Sequence, residues 1–473
     1  TLGWPRRRRL ARFGVAWREL LLQFAEERAL APGPAVAAGA AGAPLRPMRI
    51  VAIAAWEFPL FSQSFVCQEL AALVAAGFDV RLAATTISAA PPPSPAAEVL
   101  APRVFRLPGE VEICGDDLAH FRRTRGERVE RLLSRLAQQS GRRPEELAAD
   151  GHVQRGFALA RAAEAWGADY LHSYFFYEGS LAAMVAQALL ALPRGITCYA
   201  DHEIDDAQKR LVPLHLASAD LLVATSERVR RELTARLPEA APRILVKPNA
   251  VDTAFFAPVE RRDPAPDEPL RLITVARIDP KKGLADLLAA CADLEARGVD
   301  FTLEIVGGVE AGSAAGERER AARIAETARL GLVDRVRWRG ILDAVGVRAA
   351  LGGAQLFVLP SVETASGDKD GIPTALLEAM ATGLAVVATR AGSIPEAVRD
   401  GVDGRLVEAG SPAKLAAAIA GLAGDSAGRR ALGAAAALRV RERFSVEVCE
   451  PRLAARIARL VADFRGLEST GER

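Results

Sequence analysis

The chain has 473 residues and a formal net charge of +2 at pH 7, with half of its residues apolar and a quarter charged. This length exceeds the usual size of one domain, and the composition excludes a largely disordered or fibrous chain. The small net charge excludes a strong overall attraction to nucleic acid. No run of 18 apolar residues occurs, so we predict no membrane-spanning helix. The five cysteines are widely spaced, which favours a reducing cytoplasm over a disulfide framework.

Residues 1–47 differ from the rest of the chain. A basic run, Arg6 to Arg9, precedes an amphipathic stretch from Trp17 to Leu30 and a segment rich in proline, glycine and alanine. Charged residues interrupt the apolar part, so the segment does not resemble a secretory signal peptide. It is either an extension without function or a basic surface helix that contacts anionic lipid. We therefore expect a cytoplasmic protein whose membrane contact, if any, is peripheral and at the inner face.

Residues 48–257 show apolar strands that alternate with helices. The segment 116–165 is charged and helical, and we interpret most of it as a solvated helical insert. The remaining alternation predicts parallel βαβ units and a doubly wound sheet. We expect strands at Met48–Ala55 and Phe78–Ala84, strands near Tyr170, Ile196, Leu221 and Ile244, and a helix at Phe65–Ala76.

Residues 258–269 are rich in proline and charge and are predicted as a linker. A second alternating series fills 270–440, and 441–473 is predicted as a C-terminal helix that packs back on the first domain. The fold class is therefore α/β, with two Rossmann-like domains that face each other across a cleft, where ligands bind at the carboxyl ends of the strands. The predicted strands are Leu270–Ala276, Phe301–Val306, Arg335–Trp338, Gln355–Leu359 and Leu384–Ala388, and the helices are Leu284–Arg297, 316–330 and Pro373–Thr382.

The loop after the first strand of the second series carries two cations. Arg277 and Lys282 precede Gly283, which opens a helix. Two cations beside a helix N-terminus suit a doubly charged anion such as a diphosphate, and a solvated basic loop is the alternative. Gly307 and Gly308 end the next strand, where glycine lets the backbone approach a ligand closely. A plain turn is the alternative there, and no G-x-G-x-x-G fingerprint of a dinucleotide site is present.

A long loop then leads into a helix with Pro373 in its first turn, whose free amides suit an anion or sugar hydroxyls. Thr374 and Glu378 are four residues apart and share a helix face. A buried glutamate usually has a partner, and a ribose diol is a natural one; the alternative is a capping Asp370 and an exposed Glu378. Asp368 and Asp370 also have the D-x-D spacing of metal-dependent transferases of another fold. The intervening lysine and the Gly-Ile-Pro helix start favour a site without metal.

The order of these motifs is specific. The chain combines Arg277, Lys282-Gly283, Gly307-Gly308, Asp370-Gly-Ile-Pro, Glu378-Ala-Met-Ala, Gly383 and Gly392-Ser-Ile-Pro395-Glu396. Over residues 48–465 this order resembles the family 4 retaining glycosyltransferases, which have the GT-B fold. The stretch from Glu57 to Phe65 is similar to the acceptor-side loop of exopolysaccharide (colanic-acid-type) members. Asn249-Ala-Val-Asp252 is similar to the family's Asn-Gly-Val-Asp turn.

The resemblance implies a hexosyltransferase-type enzyme that moves a sugar from a nucleotide diphosphate sugar to a polysaccharide or lipid-linked acceptor, without cofactor or metal. It implies that Arg277 and Lys282 hold the donor diphosphate and that Glu378 binds the nucleotide ribose. Asp370 stands where the family has glutamate and is assigned near the transferred sugar. The other residues assigned to the donor are Gly308, Gly371, Ile372, Pro373 and Thr374, and those assigned to the acceptor side are Ser62, Ser64 and His172.

A further candidate follows the predicted strand near Ile196. Many members of the resembled family have a histidine in an Ala-His-x-x-Asp pattern here, whereas this chain has Asp201 in that register and His202 one place later. Either His202 serves, by hydrogen-bonding the sugar or placing the acceptor hydroxyl, or Asp201 takes over. The alternative is a turn-capping Asp201 with His202 in solvent.

Two other functions stay open on the sequence alone. A nucleotide-sugar epimerase or phosphorylase would use the same fold, although no lysine stands out as a pyridoxal phosphate ligand. A non-catalytic partner protein would keep the nucleotide-sugar site without transfer, and Asp370 and the altered stretch around His202 favour it. Binding of a nucleotide diphosphate without hydrolysis or transfer would distinguish that partner from an enzyme.

Overall fold

The computed structural model describes residues 46–54, 57–59, 63–88, 93–109, 112–113, 115–176, 178–199, 211–265, 268–310 and 312–470. For residues 467–470 this description covers the helical backbone alone.

The N-terminal domain is built on a parallel sheet of seven strands in the order β5-β3-β1-β6-β7-β8-β9. The sheet is wound outward in both directions from the neighbouring β1 and β6, so the topological switch point lies between them. The strands are β1 (Arg49–Ile53), β2 (Glu57–Phe58), β3 (Asp79–Ala84), β4 (Thr86–Ile87), β5 (Val104–Arg106), β6 (Tyr170–Tyr174), β7 (Arg194–Cys198), β8 (Leu221–Ala224) and β9 (Ile244–Val246), with β2 and β4 paired separately.

The helices of this domain cover both faces of the sheet, which is why its central strands are continuously apolar. Ile50 to Ile53 of β1 are at most 2% exposed, and all five residues of β6 and of β7 are buried. The helices are α1 (Ser64–Ala75), α2 (Pro95–Leu100), α3 (Asp116–Ser140), α4 (Pro144–Ala148), α5 (Gly151–Trp166), α6 (Glu178–Leu190), α7 (Val212–Ser218) and α8 (Glu227–Arg236).

The segment 116–165 is less solvated than the sequence suggests. Its charged residues cover the outer face of α3, but the inner face of that helix buries a row of apolar side chains, and α5 packs along α6. Since α5 directly precedes β6, it serves as the crossover helix of a βαβ unit. The many charged residues of the segment suggest a solvated helix, but one row of apolar side chains along a helix is enough to pack it against the domain. The buried residues of α3 are Leu118, Phe121, Val129, Leu132, Leu133 and Leu136.

The C-terminal domain repeats the design with a parallel sheet of six strands in the order β12-β11-β10-β13-β14-β15. The switch point lies between β10 and β13. The strands are β10 (Leu270–Val275), β11 (Phe301–Val306), β12 (Val336–Gly340), β13 (Leu356–Leu359), β14 (Ala385–Thr389) and β15 (Arg405–Val407). The helices are α9 (Leu284–Ala296), α10 (Ala314–Arg329), α11 (Ala344–Gly353), α12 (Thr374–Ala381), α13 (Ile394–Ala397), α14 (Pro412–Ala423), α15 (Ser426–Arg443) and α16 (Val446–Thr470).

The last helix returns to the first domain. Apolar residues of α16 join the core that β1, β3 and α1 form, and α16 packs against α1. A buried ion-pair cluster accompanies this contact: Lys247 Nζ lies 2.6 Å from a carboxylate oxygen of Glu69 on α1 and 2.8 Å from one of Glu450 on α16. All three side chains are at most 4% exposed. The two domains are therefore tied together through the end of the chain as well as through 258–269.

The described residues begin at Arg46, inside the segment predicted as an extension. Its guanidinium pairs with Asp169 at 2.7 Å, and Arg465 of α16 pairs with the same carboxylate at 2.6 Å. The domain thus includes at least the last two residues before Met48. Residues 1–45 lie outside the described residues. Among the described helices, none has the length and apolar character needed to cross a membrane.

Candidate functional site

The candidate site lies at the switch point of the second sheet, where two neighbouring strands end. The loop after β10 carries Arg277 and Lys282, and the loop after β13 carries Asp370. Gly283 has a φ of +64°, and a Cβ there would lie 1.9 Å from the carbonyl oxygen of Pro360. Only glycine permits this approach, which brings the two loops into contact.

Lys282 and Asp370 form the centre of the site. Lys282 Nζ donates to both carboxylate oxygens of Asp370, at 2.7 and 2.8 Å, and Ser361 Oγ donates to Asp370 Oδ2 at 2.7 Å. Burial alone would raise the pKa of Asp370, but Lys282, the nearby Lys281 and the two hydrogen bonds together lower it. Asp370 is therefore a carboxylate at neutral pH, and it holds the lysine ammonium in place.

The neighbouring pair extends the same pattern. Lys281 Nζ lies 3.1 Å from Asp368 Oδ1, and both side chains are largely buried. The two carboxylates of the Asp368-Lys369-Asp370 stretch thus hold different lysines instead of converging on one point. Among the described residues no group of three or more His, Cys, Asp or Glu side chains is placed to hold a metal ion.

Arg277 sits further out, at the edge of the site. Its side chain is 39% exposed, and its Nη1 donates to Glu310 Oε2 at 3.2 Å. Because Glu310 itself is 64% exposed, this ion pair is a weak surface interaction that an incoming anion can replace. The guanidinium is thus held close to the site without being committed to a strong partner.

Two glycines after β11 form the wall beside Arg277. Gly307 has a φ of +135°, and a Cβ on it would lie 1.9 Å from the carbonyl oxygen of Ala276. A Cβ on Gly308 would lie 2.6 Å from the side chain of Ile341. Gly307 therefore requires glycine for its backbone conformation, and Gly308 requires it for packing. Both act at the base of the loop that carries Arg277.

The segment from Gly371 to Thr374 faces the N-terminal domain. A Cβ on Gly371 would lie 3.1 Å from the carbonyl oxygen of Tyr199, which follows β7. Thr374 begins α12, and its Oγ1 accepts a hydrogen bond of 3.4 Å from Asn249 Nδ2 of the first domain. Ile372 is 5% exposed and packs into the core. Pro373 occupies the N-cap with a φ of −68°, and no side chain caps the first amides of α12.

Glu378 lies one turn further along α12. Its side chain is half-buried, and burial raises its pKa to about 7. Within the described part of the chain its carboxyl group forms no hydrogen bond or ion pair. A desolvated carboxyl group without a partner among the described residues, on the helix that follows the loop of Asp370, is typical of a group that binds a ligand.

The comparisons with known proteins identify the family. The profile described as glycosyl transferases group 1 matches residues 269–425, which hold all of the site described so far except Asn249 and Tyr199. The amylovoran biosynthesis glycosyltransferase AmsK of Erwinia amylovora is 30% identical over 300 residues, which are 62% of this chain and 71% of that protein. The chain belongs to the group 1 glycosyltransferases.

Two further proteins are similar to this group 1 glycosyltransferase. A putative colanic acid biosynthesis glycosyltransferase, WcaL of Salmonella typhimurium, is 39% identical over 178 residues, but the match spans only 38% of this chain and 41% of that protein. The solved structure of Anabaena HepE in complex with UDP and glucose superposes with a TM-score of 0.65 at 16% identity, over 87% of this chain and 99% of that chain. The fold is therefore GT-B, as the sequence predicts.

The residues predicted on the acceptor side of this group 1 glycosyltransferase have three different outcomes. Ser64 is the first residue of α1 and is half-buried. His172 lies inside β6, 0% exposed, with Nε2 2.9 Å from Thr197 Oγ1 and Nδ1 3.2 Å from the hydroxyl of Tyr170. Burial lowers the pKa of His172 to about 4. The expectation that it faces an acceptor is thus corrected: it is a neutral core residue. Ser62 and His202 lie outside the described residues.

A polar contact joins the two domains beside the candidate site. The carboxylate of Glu396 accepts from the main-chain N–H groups of Glu227 and Arg228, at 2.7 and 2.8 Å, and so caps the N-terminus of α8. Arg228 donates from Nε to Ser393 Oγ at 3.0 Å and from Nη2 to the carbonyl oxygen of Asp370 at 3.3 Å. We call these contacts the interdomain clamp. Glu396 is part of the Gly392-Ser-Ile-Pro395-Glu396 motif seen in the sequence. No sequence pattern around Arg228 indicated that Arg228 would be its partner.

Proposed function

We propose that this group 1 glycosyltransferase is a retaining, family 4 hexosyltransferase that moves a sugar from a nucleotide diphosphate sugar to a polysaccharide or lipid-linked acceptor. The observation that carries the proposal is the ion pair of Lys282 with Asp370 at the switch point. Arg277 lies in the same loop as Lys282, and Glu378, on the helix after Asp370, has no hydrogen-bond or ion-pair partner among the described residues. A diphosphate between the cations would lie within reach of α12, and its nucleoside would extend toward Glu378. The names of the relatives AmsK and WcaL support a role in exopolysaccharide synthesis.

The proposed chemistry assigns each group a part. Arg277 and Lys282 neutralise the charge that develops on the leaving diphosphate, which stabilises the transition state. Asp370 stays ionised, orients Lys282 and lies beside the transferred sugar. The main chain of Gly308, Gly371, Ile372 and Pro373 together with Thr374 surrounds the donor. Closure of the two domains excludes water, which would otherwise compete with the acceptor.

The nucleotide donor has support of its own. The Anabaena neighbour was solved with UDP and glucose, and this chain shares its fold, which supports a nucleotide sugar as the donor. A thermal-shift screen with UDP, GDP, TDP and ADP and their sugars tests this directly. A ligand at 100 times its dissociation constant stabilises the folded state by about 2.7 kcal/mol. Stabilisation by a nucleotide sugar, without hydrolysis or transfer, would favour the non-catalytic partner instead.

We propose further that no divalent metal takes part, because Asp368 and Asp370 are each engaged by a lysine. Activity should persist in excess chelator. Loss of activity in chelator that magnesium or manganese restores would overturn this part of the proposal. The anomeric configuration of the product, read by NMR during turnover, tests retention.

His202 stays a proposal because it lies outside the described residues. We assign it to the transferred sugar or the acceptor hydroxyl, in a cytoplasmic enzyme. The extension 1–47 is proposed to be dispensable for the chemistry and to aid peripheral contact with the inner face of the membrane. His202→Ala should lower transfer by about 100-fold, as is typical of acid–base or positioning groups, with nucleotide affinity nearly unchanged. Asp201→Asn tests the competing assignment. Wild-type transfer in both variants would remove this loop from the mechanism.

A further inference from the structure

Three aromatic side chains stand together at the carboxyl edge of the first sheet. Phe65 lies in the first turn of α1, Phe175 directly follows β6, and Tyr199 directly follows β7. The ring centroids are 4.7 Å apart for Phe65 and Tyr199, 4.5 Å for Phe175 and Tyr199, and 6.2 Å for Phe65 and Phe175. All three side chains are half-buried and rest on the apolar core beneath them. We call these three residues the aromatic platform.

The platform spans the switch point of its sheet. Strands β1, β6 and β7 are neighbours, and the chain winds away in opposite directions from β1 and β6. Phe65 and Phe175 therefore stand on the two sides of the crevice in which open α/β sheets bind their ligands. Lys282 and Asp370 lie at the switch point of the second sheet, and the aromatic platform lies at the equivalent switch point of the first sheet.

The backbone at Phe175 is held in an unfavourable conformation. Its φ is +62°, in the left-handed region that a bulky L-residue rarely adopts. Neighbouring groups fix it there: its N–H donates to the carbonyl oxygen of Thr197 at 3.0 Å, and its carbonyl oxygen accepts from Ser180 Oγ at 2.5 Å. Strained residues of this kind concentrate at ligand sites. Here the backbone conformation places the Phe175 ring against that of Tyr199, which lies between Phe65 and Phe175.

The platform also lies next to the donor loop. The carbonyl oxygen of Tyr199 would be 3.1 Å from a Cβ on Gly371, and Thr225 Oγ1 would be 3.8 Å from the same point. Gly371 follows Asp370, the partner of Lys282. A group resting on the platform is therefore close to the place where the donor sugar would lie, on the side of the first domain.

We propose that the aromatic platform binds the terminal sugar ring of the acceptor, so that the acceptor group recognised here is a carbohydrate. This inference rests on the proposed function. A sugar ring offers a face of C–H groups to the electron-rich faces of aromatic rings, and its hydroxyls stay free at the edge. A phosphate or charged lipid head group offers no such face. The rings of Phe65 and Phe175 flank that of Tyr199, and all three are only half-buried, so the parts left open offer a sugar ring an apolar contact beside the donor.

The experiment compares Phe65→Leu and Phe175→Leu with a matched control, Phe105→Leu. Phe105 is also half-buried and in the same domain, but it lies in β5 at the far edge of the sheet. Transfer to cello- and galacto-oligosaccharides would be measured, with acceptor KM and kcat separated and UDP affinity determined by calorimetry. We expect acceptor KM to rise at least about 10-fold in both platform variants, with UDP affinity within about twofold of wild type. The conservative Phe65→Tyr should keep the wild-type KM.

Contact between the sugar and the rings can be measured directly by NMR of the same oligosaccharides in the presence of wild-type protein. C–H protons that lie over aromatic rings shift upfield, and this shift should be lost in the platform variants and kept in Phe105→Leu. Unchanged acceptor KM and unchanged proton shifts in both variants would overturn the proposal. Binding to vesicles that contain a prenyl phosphate, if it is lost in the platform variants and no oligosaccharide proton shifts, would also overturn the proposal. The platform would then be a lipid-binding site. A protein that binds no nucleotide at all would instead refute the proposed function, and the NMR experiment would still test the platform.

Discussion

The ammonium group of Lys282 lies 2.7 and 2.8 Å from the two carboxylate oxygens of Asp370, although the residues are 88 positions apart in the chain. Both side chains are almost completely shielded from solvent, at 12% and 8% exposure. The pair joins the loops that follow β10 and β13. It therefore stabilises the contact between these two loops at the place where a donor diphosphate would bind.

Removing either cation should reduce turnover, but only one of the two substitutions should also reduce stability. We expect Lys282→Ala and Arg277→Ala each to lower kcat by about 100- to 1000-fold, since both lose a donor to the developing anion. Only Lys282→Ala should also lower Tm, because it leaves the Asp370 carboxylate buried without its partner. Lys414→Ala is the control, since Lys414 forms an exposed pair with Glu408 in the same domain. Near-normal turnover in both variants would refute the diphosphate assignment.

The Glu378 carboxyl group predicts a pH dependence whose sign follows from its pKa of about 7. Its ordinary value is 4.5, so between these two values the unfolded chain loses this proton while the folded protein keeps it. The group therefore lowers stability as pH rises through this window. Glu378→Gln lacks the ionisation, and it should be more thermostable than wild type at pH 8 but not at pH 4.

The same variant separates a binding role from a structural one. A carboxylate accepts hydrogen bonds from both hydroxyls of a ribose, so Glu378→Gln should weaken nucleotide binding at pH 8 despite its higher Tm. Wild-type affinity should fall as pH drops below about 7, and the variant's should not. Calorimetry at the two pH values measures both. A lower Tm with unchanged affinity would mean that Glu378 is a structural helix residue.

The buried cluster around Lys247 should dominate the stability of the contact between α16 and the first domain. Burial would lower the pKa of Lys247, but Glu450 and Glu69 raise it above its usual value, whereas burial raises the pKa of Glu450 to about 7. We expect Lys247→Met to lower the free energy of unfolding by about 3–5 kcal/mol at pH 8, because two buried carboxylates lose their cation. The loss should shrink at pH 5, below the pKa of Glu450, where protonation removes the charge of that carboxyl group. Equal losses at both pH values would contradict this account.

The interdomain clamp should control closure of the cleft. Glu396→Ala removes a carboxylate that accepts two main-chain hydrogen bonds across the domains, and Arg228→Ala removes the donor to the Asp370 carbonyl oxygen. We expect each to raise donor KM by about 10-fold, in line with the loss of a charged hydrogen bond. Small-angle scattering should show a larger radius of gyration for both variants. Arg230→Ala is the control, since Arg230 pairs with Glu227 on its own helix. A wild-type radius and KM would show that the clamp does not hold the domains.

Much of the fold could be predicted from the sequence because local patterns encode it. The alternation of apolar strands and helices indicates parallel βαβ units, and the order of the glycines, cations and acidic residues in the second half is carried by loops that each follow a strand. Since the carboxyl ends of parallel strands meet at one edge, Arg277, Lys282, Asp370 and Glu378 had to lie near one another. The strands and helices that were predicted individually for the second domain accordingly lie within two residues of observed ones, whereas β15, α11 and α13 were not predicted.

The tertiary structure alone decided which partners these residues have. His172 sits within a strand that both faces of the sheet bury, so its surroundings depend on residues from α1 and β7. Glu396 reaches Arg228, and Glu450 reaches Lys247, only because separate domains meet across the cleft and the last helix returns to the first. Such contacts join residues more than 160 positions apart. The periodicity of a helix or strand specifies which face is buried, but it carries no information about which distant side chain will be opposite.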